Sequence, residues 1–310
     1  MISRGEFGLQ KMCDWIIDNH SDTIVKKNGI TKPRTIFVKA DPEYWEIFLN
    51  TVLPEIQTSF ILISGSADRT TPNQIDLRYD SYRGTRLGEQ LHKLADDSRI
   101  SKWFLENCDE KLSPKMHLFP LGARGDVFDN DLEWHKNAWE IALKPCNMKK
   151  KGIKTISINR TRTGGNGQWK QRAKVLKLLK GNWKNYIDYK HADIPSNIFV
   201  KELSKYSFVL CVEGGGLDPS PKAWQAIIAG SIPIIRKTQI YEAYKDFPCA
   251  WIDEWTEDAI TPTKLKKWLE ELSPWFDDPS KRNKILHKLT LKYWWCDVMG
   301  QDDRPFLYIN

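Results

Sequence analysis

Two kinds of side chain in this sequence are placed to do chemistry. Three carboxylates stand where apolar runs give way to polar turns: Asp68 in FILISGSADRT, Asp126 in LGARGD and Glu213 in VLCVEGGG. A carboxylate at the carboxyl end of a buried strand can take a proton from a hydroxyl, so each is a candidate general base, with Asp68 the first choice. Each is also suited to holding a turn or cap. The second kind is cationic. Arg160 and Arg162 follow the apolar run Thr155–Asn159, beside a glycine-rich loop, and Arg172 lies a turn into the next segment. Lys222 follows a second glycine cluster, Gly214, Gly215 and Gly216. Cations beside backbone that can be closely approached suit the binding of an anion.

The elements that must position these groups are best defined around Lys222. Phe208–Val212 reads as a short buried parallel strand, Ser220 as a helix cap, Pro221 as the first helical residue, Gly230 as the stop and Ile232–Ile235 as the next strand. A helix start at the carboxyl end of a parallel strand is a natural seat for phosphate. It contributes only about 0.3–1 kcal/mol toward an anion. A diphosphate therefore needs charged donors as well, each contributing roughly 1.5–3 kcal/mol. Lys222, a cation that opposes the helix dipole, fits that need; the alternative is a solvated lysine. The P-loop spelling is absent, and the third glycine of a dinucleotide fingerprint is replaced by Pro219.

Over the whole chain, apolar runs alternate with helix-like segments. Strands are expected at Thr35–Lys39, Ser59–Ser64, Met116–Pro120, Thr155–Asn159, Tyr186–Tyr189, Phe208–Val212, Ile232–Ile235 and Ala250–Ile252. Helices are expected at Tyr44–Ile56, Ile100–Asn107, Leu132–Leu143, Gln168–Leu179 and Pro221–Ala229. The pattern implies an α/β fold with parallel sheets in two halves. The hinge falls at Lys144–Lys154, which separates a first lobe (1–148) from a second (149–270). A helical, aromatic segment (271–310) is expected to cross back onto the first lobe.

The 310 residues, 41% hydrophobic and 28% charged, are enough for a proper core and exclude a disordered chain. No run nears the roughly 20 apolar residues of a membrane helix, and the first residues lack a secretory signal, so a soluble, cytoplasmic protein is expected. The six cysteines form no CxxC pair and read as reduced thiols. A net charge of +7 favours an anionic partner: nucleotide, nucleic acid or acidic glycan.

The stretch from Phe208 to Ile235 resembles the nucleotide-sugar half of exostosin-like glycosyltransferases (family 47 type) and their algal and viral relatives. Gly214, Gly216, Leu217, Asp218, Lys222, Trp224, Ala226, Gly230, Ser231, Ile232, Pro233 and Ile234 stand in matching places. Asp253, Glu254 and Trp255 resemble the closing strand and loop of that half. Trp103, Phe104, Asn107, Pro120 and Gly122 resemble elements of the first half. The resemblance implies two Rossmann-like lobes facing a cleft, the GT-B type glycosyltransferase architecture. It implies transfer of a sugar from a nucleotide diphosphate sugar, UDP-sugar favoured, to a glycan hydroxyl, with inversion and with no metal or other cofactor required.

On this resemblance Arg160, Arg162, Arg172, Gly214, Gly215, Gly216, Asp218, Ser220, Lys222 and Gln225 hold the donor. Gly65, Ser66 and Arg124 are expected to face the acceptor, although Arg124 could reach phosphate instead. Two departures stand out: lysine replaces the family's usual arginine at 222, and glutamine replaces its glutamate at 225. Lysine lacks the bidentate fork, and glutamine accepts a hydroxyl without charge assistance. Asp129-x-Asp131 spells a metal-binding motif but directly precedes a helix-like segment, where aspartate caps. Tyr44, Trp45 and Trp134 are candidates to stack on sugar near an acceptor groove. Competing readings are a basic nucleic-acid-binding protein, which leaves the Gly214–Ile235 element unexplained, and an inactive glycan-binding relative. The preferred partners are a nucleotide sugar and an acceptor glycan, without nucleic acid.

Overall fold

A computed structural model describes residues 3–4, 8–19, 23–124, 138–159, 168–191, 194–213 and 216–301. Its first sheet contains β2 (Trp15–Ile17), β3 (Val25–Lys26), β4 (Thr35–Lys39), β5 (Phe60–Gly65), β6 (Ile100–Leu105) and β7 (Met116–Leu118) in the order β3-β2-β4-β5-β6-β7. Only β3 runs antiparallel to its neighbour. A minor parallel pair joins β1 (Ser3–Arg4) to β8 (Ala123–Arg124). The second sheet contains β9 (Thr155–Asn159), β10 (Ile187–His191), β11 (Phe208–Leu210), β12 (Ile232–Arg236) and β13 (Ala250–Ile252) in the order β10-β9-β11-β12-β13, all parallel. The expected α/β class with two parallel sheets is what the chain forms.

Strand alternation explains how the first sheet is buried on both faces. Ile36, Val38, Leu62, Trp103 and Leu105 point to one side, where α1 (Pro42–Ile47) and α2 (Arg86–Leu94) supply Tyr44, Trp45, Leu87 and Leu91. Phe37, Ile63 and Phe104, one residue out of phase, join the core that runs on into the second half. Trp103 is fully buried, meets the ring of Trp45 edge-on at 5.8 Å and donates its indole N–H to Ser64 Oγ at 2.9 Å. Tyr44 and Trp45, expected near an acceptor groove, are thus core residues: α1 turns its aromatic face onto the sheet.

Ile100–Asn107 was the other misreading. Ile100, Trp103 and Phe104 recur at helical spacing, yet the segment is β6, a central strand whose two covered faces remove the polar alternation that marks an exposed sheet. In the second half, α3 (Gln168–Lys180), α4 (Ser196–Leu203) and α5 (Lys222–Ile228) alternate with the strands. The Lys144–Lys154 stretch holds a single short helix, Met148–Lys151.

After β13 come α6 (Pro262–Leu272), α7 (Pro279–Lys288) and α8 (Leu291–Met299). Trp294 of α8 sets its ring edge-on to Phe119 at 5.1 Å, just past β7, and to Trp224 of α5 at 6.4 Å. One indole therefore touches both halves. Among the described residues no helix is long and apolar enough to cross a membrane.

Trp103→Ala is expected to lower unfolding free energy by about 3–5 kcal/mol, whereas Leu77→Ala, at a position 66% exposed, should change it by less than about 0.5 kcal/mol. Urea denaturation of the two variants checks the contrast.

Candidate functional site

The carboxyl ends of β5 and β6 form one wall of a cleft. Gly65 lets the carboxylate of Glu106 lie against its backbone, where a Cβ would collide with it, and Glu106 accepts the Ser66 N–H at 2.8 Å. Ser66 and Asn107 both take left-handed backbone (φ 56° and 48°), so the chain turns sharply as each strand ends. The loop after β5 is fixed by buried polar groups. Thr70 Oγ donates to Asp109 at 2.6 Å and accepts from Ile75 N at 2.8 Å, while Asn73 Nδ2 donates to Asp109 and Glu110. This loop carries Asp68, Asp76 and Arg78. Arg78 forks onto Asp76, with contacts of 3.0 and 2.7 Å to Oδ2, and reaches Asp68 at 3.4 Å.

The opposite wall is the carboxyl edge of the second sheet. The Lys222 ammonium donates to the carbonyl of Ile158 and to Asn159 Oδ1 (2.7 Å), both at the end of β9. Its stem keeps some surface, but burial of the ammonium, with the Arg172 guanidinium adding to it, pulls its pKa down to about 7. Arg172 donates to the Glu213 carbonyl at 3.0 Å. Glu213 is buried, with one oxygen accepting from Arg236 and the other from the Trp255 indole at 3.1 Å. Arg236 also reaches Glu254 at 3.0 Å. Three cations, Arg172, Lys222 and Arg236, thus ring the ends of β9, β11 and β12.

The walls are fastened to each other by the turn after Gly215. Asn107 Oδ1 accepts the N–H groups of Leu217 (3.1 Å) and Asp218 (3.2 Å) while its amide donates to Ala67 O at 3.2 Å. Gly216 makes this possible: its φ is 64°, and a Cβ there would lie 2.6 Å from Asn107 Cγ and Oδ1. Its N–H goes to Asp76 at 3.2 Å. Asp218, almost wholly buried, accepts from Leu121 N at 3.0 Å and from the Tyr244 hydroxyl at 2.6 Å. Between the walls lies a cavity of about 200 Å³, lined by Thr70, Asp76 and Leu77 on one side and Gln171, Glu213, Gly216 and Arg236 on the other.

Of the residues singled out from sequence, Arg172, Glu213, Gly216 and Lys222 gather at the carboxyl edge of the second sheet, and Gly65, Ser66 and Asp68 at that of the first. Both carboxylate oxygens of Glu213 are already engaged, by Arg236 and Trp255, which leaves neither open to a substrate hydroxyl. Asp218 joins the two halves from the interior and does not line the cavity. Ser220 is not the helix cap: Pro221 takes that place, and the Ser220 hydroxyl is met only by Lys222 N at 3.4 Å. Gln225 is half-buried in the middle of α5. Asp126, Asp129, Asp131, Trp134, Arg160, Arg162, Gly214 and Gly215 lie outside the described residues, and of Arg124 only the backbone, paired with Arg4, is described.

Sequence reasoning missed Asp76, Glu106, Gln171 and Arg236. Glu106 and Arg236 had position alone to mark them, at the ends of β6 and β12, and Gln171 only its place in the first turn of α3; Asp76, in the long loop after β5, had no local signal. Gln171 Oε1 is enclosed and has no hydrogen-bond partner among the described residues, and Gln171 lines the cavity. Among the described residues no group of three or more His, Cys, Asp or Glu is placed to hold a metal ion.

No protein-family model matches the chain, and no curated protein matches it. Among solved structures, a crystal structure of TarM is similar over 86% of this chain, with 9% identity and a TM-score of 0.45. The chain spans 55% of the length of TarM. An alpha-glucosyltransferase in complex with UDP and a 13-mer DNA containing a central A:G mismatch is similar over 88% of this chain and 81% of its own, with 12% identity and a TM-score of 0.41. At scores below 0.5 neither likeness assigns an activity to this chain.

Two outcomes follow from the geometry of the cleft. Asn107→Ala orphans two buried N–H groups and should cost roughly 1–3 kcal/mol. Gly216→Ala should cost a similar amount through strain and collision, but the double variant less than the sum, by about 1 kcal/mol, since the first change removes the collision; urea melts of the four proteins read this coupling. The second concerns Lys222, whose folded pKa is depressed. Between pH 7 and the unfolded value of 10.5 the unfolded chain binds the extra proton, so stability relative to Lys222→Met rises with pH. The expected slope is up to about 1.4 kcal/mol per pH unit, measured by denaturation from pH 7 to 9.

Proposed function

We propose that the protein is a glycosyltransferase that moves a sugar from a nucleotide diphosphate sugar, a uridine one by preference, to a hydroxyl of an acceptor glycan. The observation that carries this reading is the cleft itself: the carboxyl edges of two parallel sheets meet at one cavity, with Lys222, Arg172 and Arg236 at the second sheet's edge and Asp68 and Asp76 on the loop that leaves the first. Crevices at the carboxyl ends of parallel strands are where such sheets bind ligands. The cavity matches a sugar ring in size, so the nucleotide would lie along the ends of β9 and β11, beside Lys222 and Arg172. Residues 149–270 would then form the donor lobe and residues 1–148 the acceptor lobe.

In the reaction, the acceptor oxygen bonds to the anomeric carbon from the face opposite the leaving group, inverting it. The bond to the diphosphate breaks, its electron pair stays on the phosphate oxygen, and the hydroxyl proton passes to a carboxylate. Asp68 is the candidate base, held in place by Arg78. Lys222 and Arg172, with Arg160 and Arg162 expected from sequence, neutralise the leaving diphosphate in place of a metal ion. A buried lysine with a pKa near 7 gains from an anion at its side, which restores its charge.

One observation favours a second reading, a glycan-binding relative without turnover: Glu213 and Asp68 are both already paired with arginines. Thermal-shift titration with nucleotide diphosphates and their sugars tests the first. A uridine or guanosine diphosphate should raise the melting midpoint, and Lys222→Ala or Arg172→Ala should weaken binding roughly ten- to hundredfold. No shift with any nucleotide overturns the reading; a shift without donor hydrolysis or transfer leaves the binding relative.

A further inference from the structure

A cavity of about 590 Å³ lies at the other end of the second sheet. It is bounded by the 140–147 connection, by α4 and by the end of α5 at Ala229. Lys151 lines it and donates to Gly230 O at 2.8 Å and Tyr206 O at 3.3 Å, the carbonyls that precede β12 and β11. The cleft sits at the carboxyl ends of these strands and this cavity at their amino ends, so the inference is independent of the transferase reading.

Charge in and behind this cavity is unbalanced. Among the described residues, Lys144, Lys151 and Lys201 line it against one carboxylate, Glu140. Behind it the guanidinium of Arg282 is buried, donating to Ile227 O at the end of α5 and to Ile228 O at 2.8 Å. Its Nε has no hydrogen-bond partner among the described residues. Neither Lys151 nor Arg282 forms an ion pair with a described carboxylate; Asp277, the acid that acts on Lys151, spends Oδ1 on Met148 N at 2.9 Å. Burial holds both cations below their usual pKa range. Lys151 uses two of its three N–H groups on carbonyls, which leaves a donor. Buried positive charge without an ion-pair partner is costly, and an anion within contact distance relieves it.

The walls add a second requirement. Ile141 and Ile198 line the cavity, and Ile198 is 47% exposed, as is Leu143 (58%) beside Lys144. An inorganic anion would leave these side chains in water. We infer that this cavity binds an amphiphilic anion, a phosphate or carboxylate head set between Lys144, Lys151 and Lys201 with an apolar tail against Ile141 and Ile198. The same chemistry is offered by a soluble phosphorylated amphiphile and by an anionic lipid.

Cys146 reports on the site, because it lines the cavity and the other five cysteines are buried. Alkylation of Cys146 by N-ethylmaleimide, followed by mass spectrometry, would be timed with three probes: dihexanoyl phosphatidic acid below its micelle concentration, inorganic phosphate, and phosphatidylcholine vesicles with and without phosphatidylglycerol. At ten times its dissociation constant a bound probe should slow labelling about tenfold. Protection by the soluble phosphatidate supports the inference with a soluble source, and protection by phosphatidylglycerol vesicles alone supports it with a membrane source. Equal protection by inorganic phosphate, protection by none, or protection that survives the exposed double substitution Lys144→Glu and Lys201→Glu overturns it. If the thiol reacts too slowly, the melting midpoint of Cys146→Ser with the same probes gives the same decision.

Discussion

The arrangement depends on one amide side chain. Asn107 leaves the first sheet at the end of β6 and binds two consecutive backbone N–H groups of the second half, while its own N–H returns to the loop after β5. Such a contact needs the partner backbone at van der Waals distance, which only a residue without Cβ permits at position 216. Buried N–H groups must be paired, so the constraint acts in both directions. The amide fixes the turn, and the turn fixes the distance between the carboxyl edges of the two sheets.

Around that clasp the charges fall into two classes. Asp218 joins the two halves through neutral donors, while Glu213 and Arg236 are held within the second half by each other, by Trp255 and by Glu254. Lys222 instead rests on a backbone carbonyl and an amide, partners that satisfy hydrogen bonds without cancelling charge. Cations so placed remain available to an incoming anion. Counting charged residues in a cleft would not separate these classes; their partners do.

Much of this could be read from the letters, and the reasons for the failures are physical. Thr35–Lys39, Thr155–Asn159 and Ala250–Ile252 appear with the expected bounds because buried parallel strands are short, apolar and flanked by turn residues. β6 was misread because a strand covered on both faces and a buried helix present the same run of large side chains. The ordered run of strand, glycines, helix, Gly230 and strand around Lys222 pointed to the second wall, where glycines alone would not, since glycine-rich turns are common. Asp76, Gln171 and Arg236 gave no local signal: each gains its role from chain segments far away in sequence, as Asp76 does through Gly216. Glu213 showed the opposite error, a carboxylate in a promising place whose oxygens were consumed by residues further along the chain.

The indole of Trp294, set between Phe119 and Trp224, has a consequence for biosynthesis. Both sheets are complete by residue 252, yet the brace that spans them arrives only with residues 291–299. As the polypeptide leaves the ribosome, each half can form its own strands while the aromatic surfaces on Phe119 and Trp224 still await their cover. Until that segment arrives, the faces of Phe119 and Trp224 that meet Trp294 are apolar surface a nascent chain leaves open to chaperones and to self-association.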